Sequence, residues 1–309
     1  MTEASAYERF RALHERPEAF IMPNAWDGAS AVLLKRAGFE ALGSTSGGVA
    51  FALGRQDGCH AVSLDEAVAN AAMLVRLTGL PVNGDLEDGF GPDPEDCART
   101  VRAAADAGLA GLGIEDTTAD PANPIHDFDR AVARVRRAAQ EARGCILLTG
   151  RTDNFLQGRP DLDDTVRRLV AFAEVGADVL YAPALPDMAA IEAVVRAVAP
   201  KPVNVLIGPR RGAASSLADL STAGVRRVSL GAALYRRAMA GLVEAAEALR
   251  VGDLAAAVQG AVASSEIATL LPGDWNQPRQ DSTALARAGR DRTDRNGAAV
   301  RPSDGGMAP

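Results

Sequence analysis

The chain has 309 residues, 47% of them hydrophobic but only 4% aromatic, with 30 glycines and a net charge of −7. That length suits one large α/β domain or two smaller ones, and the few rings leave Ala, Val and Leu to fill the core. An acidic pI near 5.1 without a basic patch argues against nucleic acid as a partner. The opening segment, MTEASAYERFRALHERPEAF, is charged and helical in pattern and has no apolar core. No apolar run nears the roughly 18 residues of a membrane span, so the expectation is a cytoplasmic protein with no signal peptide and no membrane partner. The cysteines Cys59, Cys97 and Cys145 are odd in number and lack metal-binding spacing, which predicts free buried thiols.

One pattern then recurs along the chain. A helix-like run ends in Gly, and an apolar strand follows within a residue or two, at Gly38, Gly79, Gly108, Gly176 and Gly224. Gly just past a helix takes the left-handed conformation at little steric cost. The runs before these glycines are amphipathic. In DLDDTVRRLVAFAEVG, Val166, Leu169, Val170 and Ala173 share a face, and Asp161 is the expected N-cap. Helix, Gly, strand, repeated, is the signature of βαβ units and a parallel sheet. The strands are AFIMPNAWD, FEALGSTS, LPVNGDLE, LAGLGIED, CILLTGRTD, ADVLYAP, PVNVLIG and VRRVSLGA. Eight βα units fit a (β/α)8 TIM barrel. An open doubly wound sheet is the alternative, but no G-x-G-x-x-G follows the first strand.

Most of these strands hand over to polar residues at their C-terminal ends. The endings are Asn24 and Asp27; Ser44, Thr45 and Ser46; Asp85 and Glu87; Glu115 and Asp116; Arg151 and Asp153; and Asn204. In a barrel such ends converge on one rim, where active sites sit. The third strand is the most informative, in LPVNGDLEDGFG. If Val82 to Glu87 is extended, Asp85 and Glu87 point to the same side and repel each other unless a cation lies between them. Hard oxygen donors without His or Cys favour Mg²⁺, with Mn²⁺ possible, over zinc. A solvated polar loop is the plain alternative.

After the eighth strand come two Ala-rich amphipathic runs, ALYRRAMAGLVEAAEALR and DLAAAVQGAVASSEIATLL. The second is surplus to eight βα units and is expected to pack on a neighbouring subunit. Residues 1–271 thus read as one barrel domain with C-terminal helices. Residues 272–309 are polar, lack an apolar period, and read as a disordered tail.

With these residues placed, positions 20 to 270 resemble the isocitrate lyase / phosphoenolpyruvate mutase superfamily. NAWDGASAVLLKRAGFEALGSTSGGVAFALGRQDG resembles the opening two βα units of that family. GDLEDGFG resembles its D-x-D-x-G-[YF]-G metal motif, GLGIEDTT its G-x-x-x-E-D strand, and TGRTDNF its A-R-T-D strand. The resemblance implies a barrel whose last helix is exchanged between subunits, a homotetramer built as a dimer of dimers, and a Mg²⁺ site that binds a 2-oxo acid and its enolate. It implies Asp85 as main metal ligand, with Glu87, Glu115 and Asp57 holding the waters of the metal. It implies that Arg151 grips a small-molecule carboxylate, that Thr45, Ser46 and Gly47 donate to an anionic group, and that Asn204 contacts substrate. Arg151, Asp57 and Glu115 would form the catalytic set. A structural salt bridge to Asp153 or Glu115 is the other reading of Arg151.

The chain departs from the family in two places. Glu87 stands where the family usually has Asp. The lyases carry K-K-C-G-H in the loop after the E-D strand, where this chain has TTADPANPIHDFD, without Cys or Lys. The isocitrate-lyase reaction itself is therefore not expected. In that loop Asn123 reads as a turn residue and His126 as the approach to the next helix. The resulting expectation is a Mg²⁺-dependent carbon–carbon lyase for a small 2-oxo or 2-hydroxy acid. A phosphoenolpyruvate/phosphonopyruvate-type P–C mutase or hydrolase is the alternative. A barrel that only binds a metabolite would have no need of the metal shell.

Overall fold

The structure is a computed structural model and describes residues 4–208 and 216–273. Eight strands form one sheet: β1 (Phe20–Met22), β2 (Leu42–Gly43), β3 (Val82–Asp85), β4 (Gly111–Glu115), β5 (Leu147–Arg151), β6 (Val179–Tyr181), β7 (Val203–Leu206) and β8 (Arg227–Ser229). All neighbours are parallel, in the order β1-β8-β7-β6-β5-β4-β3-β2. The seam between β1 and β2 is narrow. It consists of a parallel bridge between Asn24 and Gly43, with Ala25 N donating to Gly43 O at 2.8 Å and Gly43 N to Pro23 O at 2.9 Å. The fold is therefore the (β/α)8 barrel expected from the strand count, and every strand lies inside its sequence segment.

The helices run α1 (Ala6–Glu15), α2 (Gly28–Arg36), α3 (Ser46–Ala52), α4 (Leu64–Thr78), α5 (Pro94–Asp106) and α6 (Phe128–Ala142). They continue with α7 (Leu162–Glu174), α8 (Met188–Val198), α9 (Leu217–Thr222), α10 (Ala233–Arg250), α11 (Leu254–Ala257) and α12 (Ser264–Ala268). The repeating glycines explain the regular spacing. Gly38, Gly79, Gly108, Gly176 and Gly224 all have positive φ, between 66° and 114°, and each turns the chain from a helix into the next strand. Most of the helices start on acid or hydroxyl caps. Ser5, Asp27 and Ser63 each close a capping box.

The main core lies between sheet and helices, and Leu42, Leu112, Leu148, Leu180 and Val203 form its buried inner wall. A second cluster plugs the N-terminal end of the barrel. Phe10 and Leu13 of α1 pack there with Phe20, Ala110 and Leu147 at the starts of strands, and with Met22 at the end of β1. With that end closed, access is left to the opposite rim.

Three details differ from the sequence expectation. In α7 the buried residues are Thr165, Arg168, Leu169 and Phe172, and Val166, Val170 and Ala173 flank them. The face is turned because Arg168 is drawn inward by Asp116 at 3.1 Å and Asp164 at 2.7 Å. The second C-terminal run is not one helix. Gly252 and Gly260, at φ 80° and 76°, border α11 and separate it from α12, and neither helix buries a residue. Finally, all three cysteines are free, but only Cys97 is buried, while Cys59 and Cys145 are exposed. The compact unit that holds the barrel ends at Leu271. The expected tail lies, from residue 274 onward, outside the described residues. Among the described residues no helix is long and apolar enough to cross a membrane.

Candidate active site

Strand geometry alone brings the polar endings together. Asp85 pairs in register with Gly113, and Glu115 with Arg151, which in turn pairs with Tyr181. These C-terminal ends surround a cavity of about 210 Å³. Of the residues singled out in the sequence, Thr45, Ser46, Gly47, Asp57, Asp85, Glu115, Arg151 and Asn204 all line it. Glu87 does not. It lines a smaller cleft on the other side of Asp85, with Val62, Asn70 and Phe90.

The reason lies in the backbone. β3 ends at Asp85, and Glu87 adopts φ +47° rather than continuing the strand. The extended run to Glu87 is therefore not formed, and the alternation argument that placed both acids on one face does not apply. Glu87 instead accepts a hydrogen bond from His60 N at 3.1 Å, while His60 Nε2 meets Asp88 Oδ1 at 2.6 Å. Burial pushes the Glu87 carboxyl up to about 7. The folded state thus holds a proton that the unfolded chain releases near pH 4.3. Stability should fall as pH rises from about 4.3 through 7. Glu87→Gln should remove that slope and, in metal-free protein at pH 8, gain roughly 1–2 kcal/mol after allowance for solvent screening. Thermal melts across pH 4 to 8 in the presence of chelator check this.

Arg151 organises the rim. Its Nε and Nη2 grip Asp153 at 2.6 and 2.9 Å. Its Nη1 lies 2.6 Å from Glu115 Oε1 and 3.5 Å from Asp85 Oδ1. The guanidinium also sits over the Tyr181 ring at 5.1 Å. Both salt bridges considered as a structural role for Arg151 are thus present, and they hold Nη1 toward the cavity. Burial pushes the Glu115 carboxyl well above its usual value, opposed by the Arg151 charge. Burial, with Asp85 nearby, also raises Asp57. Three cavity carboxylates therefore face one guanidinium already shared with Asp153.

The loop after β2 completes this side. Thr45 caps α3, accepting from Gly48 N at 3.2 Å. Ser46 gives both its N–H and its hydroxyl to Asp85 Oδ2, at 2.8 and 3.0 Å. These donors, expected to meet an anionic ligand, meet the carboxylate of Asp85 instead. A Cβ at Gly47 would lie 2.7 Å from Asp57 Oδ2, so a side chain there would displace that carboxylate. Asn204 spends its amide within the protein, giving Nδ2 to Ser229 Oγ at 2.9 Å and accepting from Arg227 Nε at 3.0 Å.

The loop after β4 folds back on itself. Thr117 bridges Ile125, and Asn123 forms a turn with Asp120. His126 precedes the N-cap of α6, Asp127. No residue from 117 to 126 lines the main cavity. Sequence reasoning missed Tyr181, Gly113 and Arg227, all of which line it. In VRRVSLGA, strand alternation puts Arg227 and Ser229 on one face and Val228 on the other, and this signal could have placed Arg227 inside the barrel.

A family profile for phosphoenolpyruvate phosphomutase matches residues 10–250. A Burkholderia cenocepacia J2315 protein of known structure, provisionally described as a lyase/mutase, is 45% identical, covering 88% of this chain and 96% of its own, with TM-score 0.81. Oxaloacetate decarboxylase from Paraburkholderia xenovorans is 31% identical over 82% of this chain and 85% of its own. A 2,3-dimethylmalate lyase structure is 26% identical over 96% of this chain and 100% of its own, with TM-score 0.78. The chain belongs to the phosphoenolpyruvate phosphomutase family, within the superfamily shared with the isocitrate lyases.

Proposed function

We propose that this protein is a Mg²⁺-dependent carbon–carbon lyase acting on a small 2-oxo or 2-hydroxy carboxylic acid. One observation carries the reading: Asp57, Asp85 and Glu115 line a single rim cavity with Arg151 aimed into it. Among the described residues, no group of three or more His, Cys, Asp or Glu side chains forms a ready cage for an ion. The donor set suits Mg²⁺ all the same, because that ion keeps several waters and needs only one or two direct carboxylates. Asp85 would hold it directly, and Asp57 and Glu115, which line the same cavity, would hold its waters, while Glu87 lies in the cleft behind Asp85. Once bound, the cation supplies positive charge beside the oxygen that becomes negative as the bond breaks.

The chain supplies the rest. Asp153 takes the Nε and Nη2 edge of Arg151, which leaves Nη1, directed into the cavity, as a single charged donor for a substrate carboxylate. Thr45, Gly47 and Asn204 shape the walls around that acid. Burial pushes the Tyr181 phenol up, so it stays protonated and presents a neutral hydroxyl at the cavity. The loop 117–126 brings neither Cys nor Lys and does not reach the cavity, so any proton returned to the product comes from the rim. Oxaloacetate decarboxylase and 2,3-dimethylmalate lyase among the relatives support carbon–carbon chemistry. Phosphoryl chemistry on the same scaffold is the alternative, supported by the family profile.

The test is an NMR screen of purified protein with Mg²⁺, following ¹H and ³¹P signals. The substrates are oxaloacetate, 2-methylisocitrate, 2,3-dimethylmalate and phosphonopyruvate. Mg²⁺-dependent cleavage of one of the first three, above the protein-free rate, supports the lyase reading. Consumption of phosphonopyruvate alone selects the alternative.

The same reading includes self-association through the last helices. Leu242, Val243, Leu249 and Leu254 on α10 and α11 are exposed, and α10 buries no residue. On the outer barrel wall an apolar groove of about 350 Å³ opens beside Ile21, Ile207 and Val228. An exposed apolar helix and a groove uncovered among the described residues suit a second copy of the chain, in a dimer or in a tetramer built from two dimers. Light scattering at micromolar concentration should show a dimer or larger, and Leu242→Asp should shift it toward monomer. A wild-type monomer would contradict the assignment.

A further inference from the structure

One layer of the barrel interior is polar across four strands. Arg151, Tyr181, Asn204 and Arg227 are register partners on β5, β6, β7 and β8, and all four line the cavity. Gly113 leaves room in that cavity, since a Cβ built there meets no heavy atom within 4 Å. Arg227, at the far end of the row, is 1% exposed. Its Nε donates to Asn204 Oδ1 at 3.0 Å and its Nη2 to Thr149 Oγ1 at 2.9 Å. Nη1 lies 3.5 Å from Asn83 Oδ1 and 3.5 Å from His14 Nε2. Burial pushes Arg227 down to about 10, which still leaves it a cation at physiological pH.

A guanidinium can only donate, and this fixes the direction of each bond that follows. Asn204 accepts from Arg227 through Oδ1, so its Nδ2 points the other way and donates to Ser229 Oγ at 2.9 Å. Ser229 is buried and hydrogen-bonds to the Tyr181 hydroxyl. Having accepted from Asn204, Ser229 has its own proton to give, and Tyr181 receives it. The Tyr181 oxygen is thus an acceptor toward the protein, and its proton is left to the cavity. The same polarity suits a phenolate. Every donor in the row leans toward the Tyr181 oxygen, and such chains reinforce one another away from water. The Arg151 guanidinium, 5.1 Å above the Tyr181 ring, adds positive charge beside it.

We propose that Tyr181 is the catalytic acid of this site: its hydroxyl proton passes to the carbon of the enolate left when the carbon–carbon bond breaks. The assignment rests on the lyase reading, in which the cavity acids serve the cation, and names the group that finishes the reaction. In this step the C=C pair of the enolate forms the new C–H bond, and the enolate oxygen becomes a carbonyl again. The O–H pair stays on the Tyr181 oxygen, which regains a proton from water once product leaves. Asn204 and Ser229 are then positioning residues, because they act through Tyr181.

The test uses full-length protein with Mg²⁺. Tyr181→Phe keeps the ring under Arg151 and removes only the hydroxyl. On whichever of oxaloacetate, 2-methylisocitrate and 2,3-dimethylmalate the wild type cleaves, its kcat should fall by about a hundredfold or more, with KM kept within about threefold. Oxalate is the binding probe, since it places an oxygen where the enolate has its reacting carbon. Calorimetry should show Tyr181→Phe binding oxalate about fivefold or more weaker. Ser229→Ala should weaken it less, and the double variant should bind no worse than Tyr181→Phe alone, because the serine acts only through the phenol. An unchanged kcat in Tyr181→Phe, or losses of the two variants that add, overturns the assignment and leaves the lyase reading intact. If the wild type neither binds oxalate nor cleaves any of the three acids, the lyase reading fails and the assignment with it.

Discussion

Asp85→Ala is expected to lower turnover by about two or more orders of magnitude while the barrel stays folded. Asp85 ends β3, and the packing of that strand is done by the buried Val82 and, just beyond, Leu86. Its carboxylate serves the rim only, accepting two bonds from Ser46 and facing Arg151 at 3.5 Å. Removing it leaves one partly buried N–H without its partner, a cost of about 1 kcal/mol. It also relieves the repulsion that raises Asp57. These effects oppose each other, so the melting temperature should move little. Asp85→Asn separates charge from shape. It keeps an acceptor for Ser46 and should melt like wild type, yet lose comparable activity, because the direct anion for the cation is gone. Circular-dichroism melts beside turnover of the substrate found by the screen check both variants.

Arg151→Met is expected to cost both activity and stability. Glu115 and Asp153 are buried, and each meets Arg151 at 2.6 Å. Breaking a buried pair from one side leaves uncompensated charge and typically costs about 3–5 kcal/mol. The pH dependence follows in sign. Burial already holds Glu115 above its usual value, and losing the guanidinium raises it further. The folded variant then binds more protons than the unfolded chain between the usual carboxylate value and the raised one, so its stability falls as pH rises from about 4.3 through that window. Urea denaturation should find the variant far weaker than wild type at pH 8 and nearer to it at pH 5. Arg151→Lys should recover part of the stability and little of the activity, since an ammonium cannot grip Asp153 with two nitrogens and still reach Glu115.

Much of this could be read from the chain. The helix–Gly–strand repeat marked five of the eight strands, because a left-handed turn at those helix ends suits glycine, and apolar runs marked the other three. The rim acids were readable because a buried strand that ends in carboxylate has few structural explanations. Glu87 was misplaced for a local reason: a two-residue alternation holds only while the strand continues, and the backbone leaves it after Asp85. The buried place of Arg168 on α7 was hidden because it depends on Asp116, 52 positions away in sequence. Arg227 and Gly113 were overlooked because their meaning is three-dimensional. One is a charge whose partners come from α1, β3, β5 and β7, and the other is a space that no neighbour fills.

The proposed chemistry needs the rim acids to hold a divalent cation that acts with Arg151 on a carboxylate. The most direct measurement is Mn²⁺ binding followed by electron paramagnetic resonance, with and without oxalate, for wild type and Asp85→Asn. One Mn²⁺ per wild-type chain is expected, tightened by oxalate, with loss of both effects in Asp85→Asn. Mn²⁺ binding unchanged by Asp85→Asn, or oxalate held equally well in the presence of chelator, would contradict it.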